Sequence, residues 1–272
     1  MRFLRLRLLV ITAVICLAAG GSLVAADEPK LTKEEMKEFL LNAKVVHSKQ
    51  NKKGITGSWQ LTLSDGKLTH DAHFQPIDIS KPAQQLASGR TELNFRDTYH
   101  FNIAAYALAE LLGLEHMLPV TVQRKWNGQT GAMAWWIPKK WDEAARLKDK
   151  IQPPDPEAWN KQIYKMRVFN QLIYDTDANL GNWLITEDWK LWRIDFSRAF
   201  RLFHELETPK NLSRCDRQLM EKVRQLDPTA VAEKTKGQLN KEEVKAVMAR
   251  RDKIVAYFEK LIAEKGENEV LY

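Results

Sequence analysis

The side chains best able to do chemistry in this chain cluster in Asp175-Thr-Asp177-Ala-Asn179-Leu-Gly-Asn182, and a further carboxylate, Asp195, follows thirteen positions after Asn182. Carboxylates and carboxamides present oxygen, the ligand that Mg²⁺, Mn²⁺ and Ca²⁺ take, and Mg²⁺ commonly completes its shell with phosphate oxygens. Asp177 and Asn182 sit five apart on a polar stretch that leaves an apolar helix pattern, and Asp195 lies where a short hairpin returns. That spacing lets one carboxylate face a hydroxyl while Asn182 and Asp195 share a cation. Two other readings are weaker. A calcium loop begun at Asp175 needs Gly at its sixth position and Glu at its twelfth, where this chain has Leu180 and Thr186. A merely capped helix-to-strand connection accounts for Asp and Asn, but not for Asp195.

The elements that must position these groups can be read from periodicity. Thr32-x-x-Glu35 is a capping box that opens a helix over 33–44. Residues 54–79 switch to period two, with Trp59, Leu61 and Leu63 alternating with polar residues and a turn at Ser64-Asp65-Gly66-Lys67, which predicts a hairpin. Gly54 and Gly57 precede its first strand and permit a backbone loop close to a ligand. Residues 80–97 show no period and read as a loop. A helix follows over 98–112 with Gly113 as its stop, then strands over 118–123 and 131–137 around a turn at Trp126-Asn127-Gly128. The Gln152-Pro153-Pro154-Asp155-Pro156 run marks a boundary. Beyond it the pattern gives a helix over 157–174, strands over 183–186 and 191–194, and helices over 221–226 and 241–263. The order is mixed α and β first, then mainly helical.

With those elements in place, Asp-x-x-x-x-Asn followed by a hairpin and Asp-Phe is the arrangement of a kinase catalytic centre. The segment 169–177, with Asn182 and Ile194-Asp195-Phe196-Ser197-Arg198-Ala199-Phe200, resembles atypical kinases: the secretory-pathway kinases, the HipA-type serine kinases and, more distantly, the phosphoinositide kinases. Asn102-Ile103-Ala104-Ala105-Tyr106, Leu111-Leu112-Gly113-Leu114 and Pro119-Val120-Thr121-Val122 resemble the helix and strand of the secretory-kinase N-lobe. The likeness spans about residues 54–200. It implies a two-lobed α+β protein-kinase-like fold, with a β-rich N-lobe over 27–150 and a helical C-lobe over 151–272. It also implies ATP with Mg²⁺ or Mn²⁺ as cofactors and a protein or small-molecule hydroxyl as acceptor. Asp177 would be the catalytic Asp, Asn182, Asp195 and Asn179 the metal holders, and Gly54 and Gly57 would lie near the phosphates. Such kinases usually carry Lys where this chain has Gln75 and Glu where it has Asn102. That points to a changed mode of nucleotide binding or to a pseudokinase acting as a scaffold, with Lys81, Arg90, Glu92 and Arg96 as the long side chains left to substitute.

The remaining composition sets bounds. Arg2, Arg5 and Arg7 before the apolar run 8–17, then Val24-Ala25-Ala26, read as an export signal cleaved before Asp27, so the protein is expected in a periplasmic or extracellular space without a membrane span. Losing those three arginines takes the formal charge from +7 to +4, and no Lys/Arg block is dense enough for nucleic acid. Cys215 is then the only cysteine, so the core, rich in Trp, must carry stability without an internal disulfide. His70 and His73, three apart on a strand, face opposite ways and do not form a metal pair.

Overall fold

The computed structural model describes residues 31–51, 57–85, 89, 91–177 and 179–272, and Thr32–Tyr272 forms one compact unit. The expected export signal, Gly54 and Arg90 lie outside the described residues. Helix α1 (Lys33–Asn42) starts at the capping box, where the Thr32 side chain accepts from Glu35 N and the Glu35 carboxylate accepts from Thr32 N. It ends two residues earlier than its pattern predicts, because the chain turns at Ala43 into strand β1 (Lys44–Gln50). β1 pairs with β2 (Trp59–Ser64), and β2 with β3 (Thr69–Gln75).

Residues 80–97 are not a loop. β4 (Asp78–Gln85) and β5 (Thr91–Thr98) form a separate two-stranded sheet. Nearly every residue of β4 is exposed, so neither face had to be apolar and the sequence shows no alternation. β5 leads into α2 (Tyr99–Leu112), capped by the Thr98 hydroxyl and stopped by Gly113 in the left-handed region at φ +70°. β6 (Thr121–Trp126) and β7 (Gln129–Trp135) complete a five-stranded antiparallel sheet in the order β1-β2-β3-β7-β6. One face of this sheet is apolar: Leu61, Leu63, Ala72, Phe74 and Met133 enter the core with Ala104, Ala105 and Leu108 of α2. Period two then turns His73 and Gln75 of β3 to the opposite face.

The rest is mainly helical. β8 (Trp141–Asp142) and α3 (Glu143–Lys148) precede α4 (Pro156–Ile173), whose N-cap Asp155 and first-turn Pro156 suit a helix start. β9 (Trp183–Ile185) and β10 (Leu191–Arg193) form a small sheet with β8. Helices α5 (Arg217–Arg224), α6 (Pro228–Lys234), α7 (Lys241–Lys265) and α8 (Glu267–Val270) close the C-terminal part, with α7 packed against α4, α5 and α6. Cys215 is fully buried. Among the described residues no helix is long and apolar enough to cross a membrane.

Candidate active site

α4 delivers the polar loop. It ends at Tyr174 in the left-handed region, and the chain crosses residues 175–182 to enter β9. The loop folds on its own side chains. The Asp175 carboxylate accepts from Asp177 N at 3.0 Å, and Asn179 Nδ2 donates to Asp177 Oδ1 at 2.9 Å. Asn179 Oδ1 accepts from Gly181 N at 3.0 Å, capping the short 3₁₀ turn Leu180–Asn182, and Asn182 Nδ2 donates to Asp177 O at 3.2 Å. The oxygen of Asn179 is therefore occupied by the loop, whereas that of Asn182 is directed away from the bond its amide nitrogen makes.

A buried cation under the loop ties it together. Arg193 of β10 has no exposed side-chain surface; its guanidinium pairs with Asp175 and donates to Asp177 O at 3.2 Å, Asn182 O at 3.4 Å and Ile194 O. Burial pushes the Asp175 carboxyl upward, while Arg193 and the Asp177 N–H pull it back. One guanidinium thus fixes both ends of the Asp177–Asn182 stretch and the residue before Asp195. Asp195 itself adopts φ +59°, a left-handed conformation that Asp tolerates better than most side chains.

A second circuit joins Asp195 to the sheet and α2. Phe196 N donates to Asn102 Oδ1 at 2.8 Å, Asn102 Nδ2 donates to Gln75 Oε1 at 2.6 Å, and Gln75 Nε2 reaches Asp195 Oδ1 at 3.5 Å, a weak contact. Gln75 and Asn102, the two departures from the kinase pattern, therefore meet as a neutral amide pair. Gly131 lets β7 lie close against the end of β3 that carries Gln75, since a Cβ there would lie 2.6 Å from Gln75 O and 2.9 Å from Phe74 Cε2.

Gln75, Asn102, Asn179, Asn182 and Asp195 all border one cleft of about 1170 Å³ beneath the five-stranded sheet. Its apolar walls include Ala132, Ala134, Ile137 and Leu184, and Asn51 and Ser58 lie at the ends of the β1–β2 connection. His73 also lines it, held below its ordinary pKa by burial and drawn back up by the Asp195 carboxylate. Gly57 is exposed at φ +58° beside Ser58 and does not line the cleft. Asp177 is half-buried on the same loop, outside the lining itself.

The structure does not bring Lys81 to the site. It lies on the exposed face of β4, opposite Phe95, and donates to Gln84 Oε1 at 2.8 Å. Arg96 pairs with Glu243, and Glu92 is held by Arg198 and Arg201. Among the described residues, no long cation from this hairpin enters the cleft. Arg193 was missed as a functional residue; a charged residue ending a three-residue apolar strand was its only sequence signal.

Among the described residues, no three His, Cys, Asp or Glu side chains are grouped closely enough to hold a metal ion alone. Asp195 with Asn182 is nevertheless a donor set that suits Mg²⁺ or Mn²⁺, which take one or two protein oxygens and fill the rest with phosphate and water.

No family model and no curated protein matches the sequence. Solved structures do. The hydra Fam20 structure with sugar superposes with a TM-score of 0.67 at 15% identity, covering 88% of this chain and 91% of that one. A Golgi casein kinase with Mn/ADP bound gives 0.62 at 13%, covering 88% and 78%. The Helicobacter pylori proinflammatory kinase CtkA gives 0.54 at 10%, covering 83% and 98%. The chain has the atypical protein-kinase-like fold. Its two-lobed α+β architecture is the one that the sequence resemblance implied.

Proposed function

We propose that the protein is a metal-dependent phosphotransferase that moves the γ-phosphoryl group of ATP to a hydroxyl. The observation that carries this is the meeting of Asp195 and Asn182 on one large cleft, with Asp177 fixed on the same loop as Asn182. The apolar walls at Ala132, Ala134 and Leu184 suit a purine base. Asp195 and Asn182 would hold Mg²⁺ or Mn²⁺, which neutralises phosphate charge when bound. Asp177, with one carboxylate oxygen occupied by Asn179, keeps the other to orient the acceptor hydroxyl and take up its proton. The ADP and manganese in the Golgi casein kinase support the choice of cofactors, and the sugar present in the hydra structure is a molecule of the hydroxyl-bearing class proposed as acceptor. We also take the chain to be exported, which N-terminal sequencing of the secreted protein would check.

The test is calorimetry of the chain from Asp27 with ADP and Mn²⁺, then phosphotransfer from labelled ATP. Binding lost in Asp195→Ala, together with transfer lost but binding kept in Asp177→Ala, is the expected result. Absence of nucleotide binding in the unaltered chain would overturn the reading. A second reading, a pseudokinase acting as a binding module, is favoured by the Gln75–Asn102 pair, which places no fixed cation near the phosphates. It predicts nucleotide binding without transfer, and an Asp177→Ala protein that still functions in cells.

A further inference from the structure

A nucleotide in the large cleft needs a cation that neither Gln75 nor the β4–β5 hairpin supplies. A divalent ion offsets only part of the charge on a triphosphate, and Asp195 adds a further negative group. Arg193 is enclosed beneath the loop and occupied by Asp175 and backbone carbonyls. Among the described residues, two lysines line the cleft, Lys49 and Lys139. Lys139 comes after Pro138, beyond the end of β7, and is held by Asp142 at 2.7 Å. Lys49 is exposed and, among the described residues, its side chain makes no ion pair and no hydrogen bond.

Strand register sets the face on which Lys49 stands. Lys49 pairs with Gln60, Gln60 with His73, and His73 with Ala134, so these four share the face opposite Leu61, Ala72 and Met133. Lys49, His73 and Ala134 all line the cleft, whereas Gln60 turns its amide to Asp71 at 2.7 Å. Gln75 follows two residues after His73 on that same face. Lys49 therefore stands about 10 Å across the sheet and about 7 Å along it from Gln75. A flexible four-carbon stem closes roughly half of that gap, and a phosphate chain lying between them closes the rest. The end of β1 is not loose: Asn51 N donates to Ser58 O at 2.9 Å, and Asn51 Nδ2 to Ser58 Oγ at 3.0 Å.

We propose that Lys49 holds the phosphate chain of the nucleotide, doing from β1 what a lysine at position 75 would do from β3. The assignment rests on the phosphotransfer reading of the cleft. Its chemistry differs from that of a lysine held by a carboxylate. Lys49 waits in solvent, so it bears no desolvation cost before the ligand arrives, and it swings onto the phosphate without first leaving a partner. The neutral Gln75–Asn102 pair offers no rival cation and keeps its own bond of 2.6 Å throughout.

The test is calorimetry of the chain from Asp27 with Mn²⁺, titrated with ADP and with adenosine, beside the Lys49→Gln variant. ADP affinity should fall about tenfold in the variant, the share of one charge-assisted hydrogen bond, at an unchanged melting temperature. Adenosine, which has no phosphate, should bind both proteins alike. Lys49→Arg, which keeps the charge, should recover most of the loss. Added salt should weaken ADP binding to the unaltered chain and weaken it less in Lys49→Gln. An unchanged ADP affinity in Lys49→Gln would sink the proposal while leaving the nucleotide cleft standing. A matching loss for adenosine would put Lys49 on the base or ribose, and an equal ADP loss in Lys139→Gln would make the effect one of diffuse charge; either result overturns the assignment. Failure of the unaltered chain to bind ADP overturns it together with the phosphotransfer reading.

Discussion

Arg193 and Asp175 allow the positioning of the loop to be tested quantitatively. Both side chains are wholly enclosed, and the guanidinium holds three backbone carbonyls besides the carboxylate. Arg193→Met keeps the bulk of the stem and leaves the Asp175 charge with a single N–H donor, that of Asp177. Stranding one partner of a buried pair costs about 3–5 kcal/mol, a large part of a domain stability of about 5–15 kcal/mol. Asp175→Asn preserves shape and the acceptor for Asp177 N, and leaves the cation its three carbonyls, so about 1.5–3 kcal/mol is expected. In the double variant neither charge is stranded, and its loss should fall short of the sum of the single losses by about 2 kcal/mol. Denaturant unfolding followed by tryptophan fluorescence gives all three values. Additivity within about 0.5 kcal/mol would refute the reasoning. Nucleotide affinity measured on folded Asp175→Asn should also drop, since Asn182 and Asp195 are held through the same guanidinium.

Gly131→Ala should destabilise by about 1–3 kcal/mol and weaken nucleotide binding, because the new methyl meets the Gln75 backbone; thermal melts and calorimetry check it, and an unchanged melting temperature counts against the close approach. The Cys215 thiol, pushed up to about 12 chiefly by burial, should resist alkylation in the native protein and react only as it unfolds, which mass spectrometry of timed iodoacetamide reactions will show. Burial also holds His73 and His116 below the ordinary value of 6.5. The unfolded chain then takes up protons that the native one refuses, so stability should be level above about pH 6.5 and fall as pH drops through the native values. Melting temperatures across that window should decline less steeply in His73→Gln.

The parts of the fold legible in the sequence were those where one face is buried. Leu61, Leu63 and Phe74 mark β2 and β3, Ala104, Ala105 and Leu108 mark α2, and Met166, Phe169 and Leu172 mark α4, all buried. β1 and β4 escaped because exposure on both faces removes the apolar alternation from which strands are read; β5 escaped because its buried positions, Glu92, Phe95 and Thr98, fall three apart across Asn94 at φ +51° and two of them are polar. The helices α3 and α6 are too short for a helical period to show. At the site, the loop residues could be read because polar side chains crowd a short stretch. Their support could not: Arg193 acts through enclosure and backbone carbonyls, and Gln75 and Asn102 meet across 27 residues. The exclusion of Lys81 likewise follows from a strand pairing that leaves no trace in composition.

The chain of amides from Phe196 through Asn102 and Gln75 to Asp195 has a consequence for the conditions in which the cleft keeps its shape. An exposed Lys–Glu link weakens as counterions crowd it, over a screening length of about 8–10 Å at ordinary salt. Uncharged carboxamides give the counterions nothing to screen and do not titrate, so each contact keeps its modest strength of about 0.5–1.5 kcal/mol from dilute buffer to brine. The join between Gln75, Asn102 and Phe196 is therefore indifferent to ionic strength and acidity, and the cleft's sensitivity to salt is left to the charged side chains that line it, Lys49, Lys139, Asp142 and Asp195.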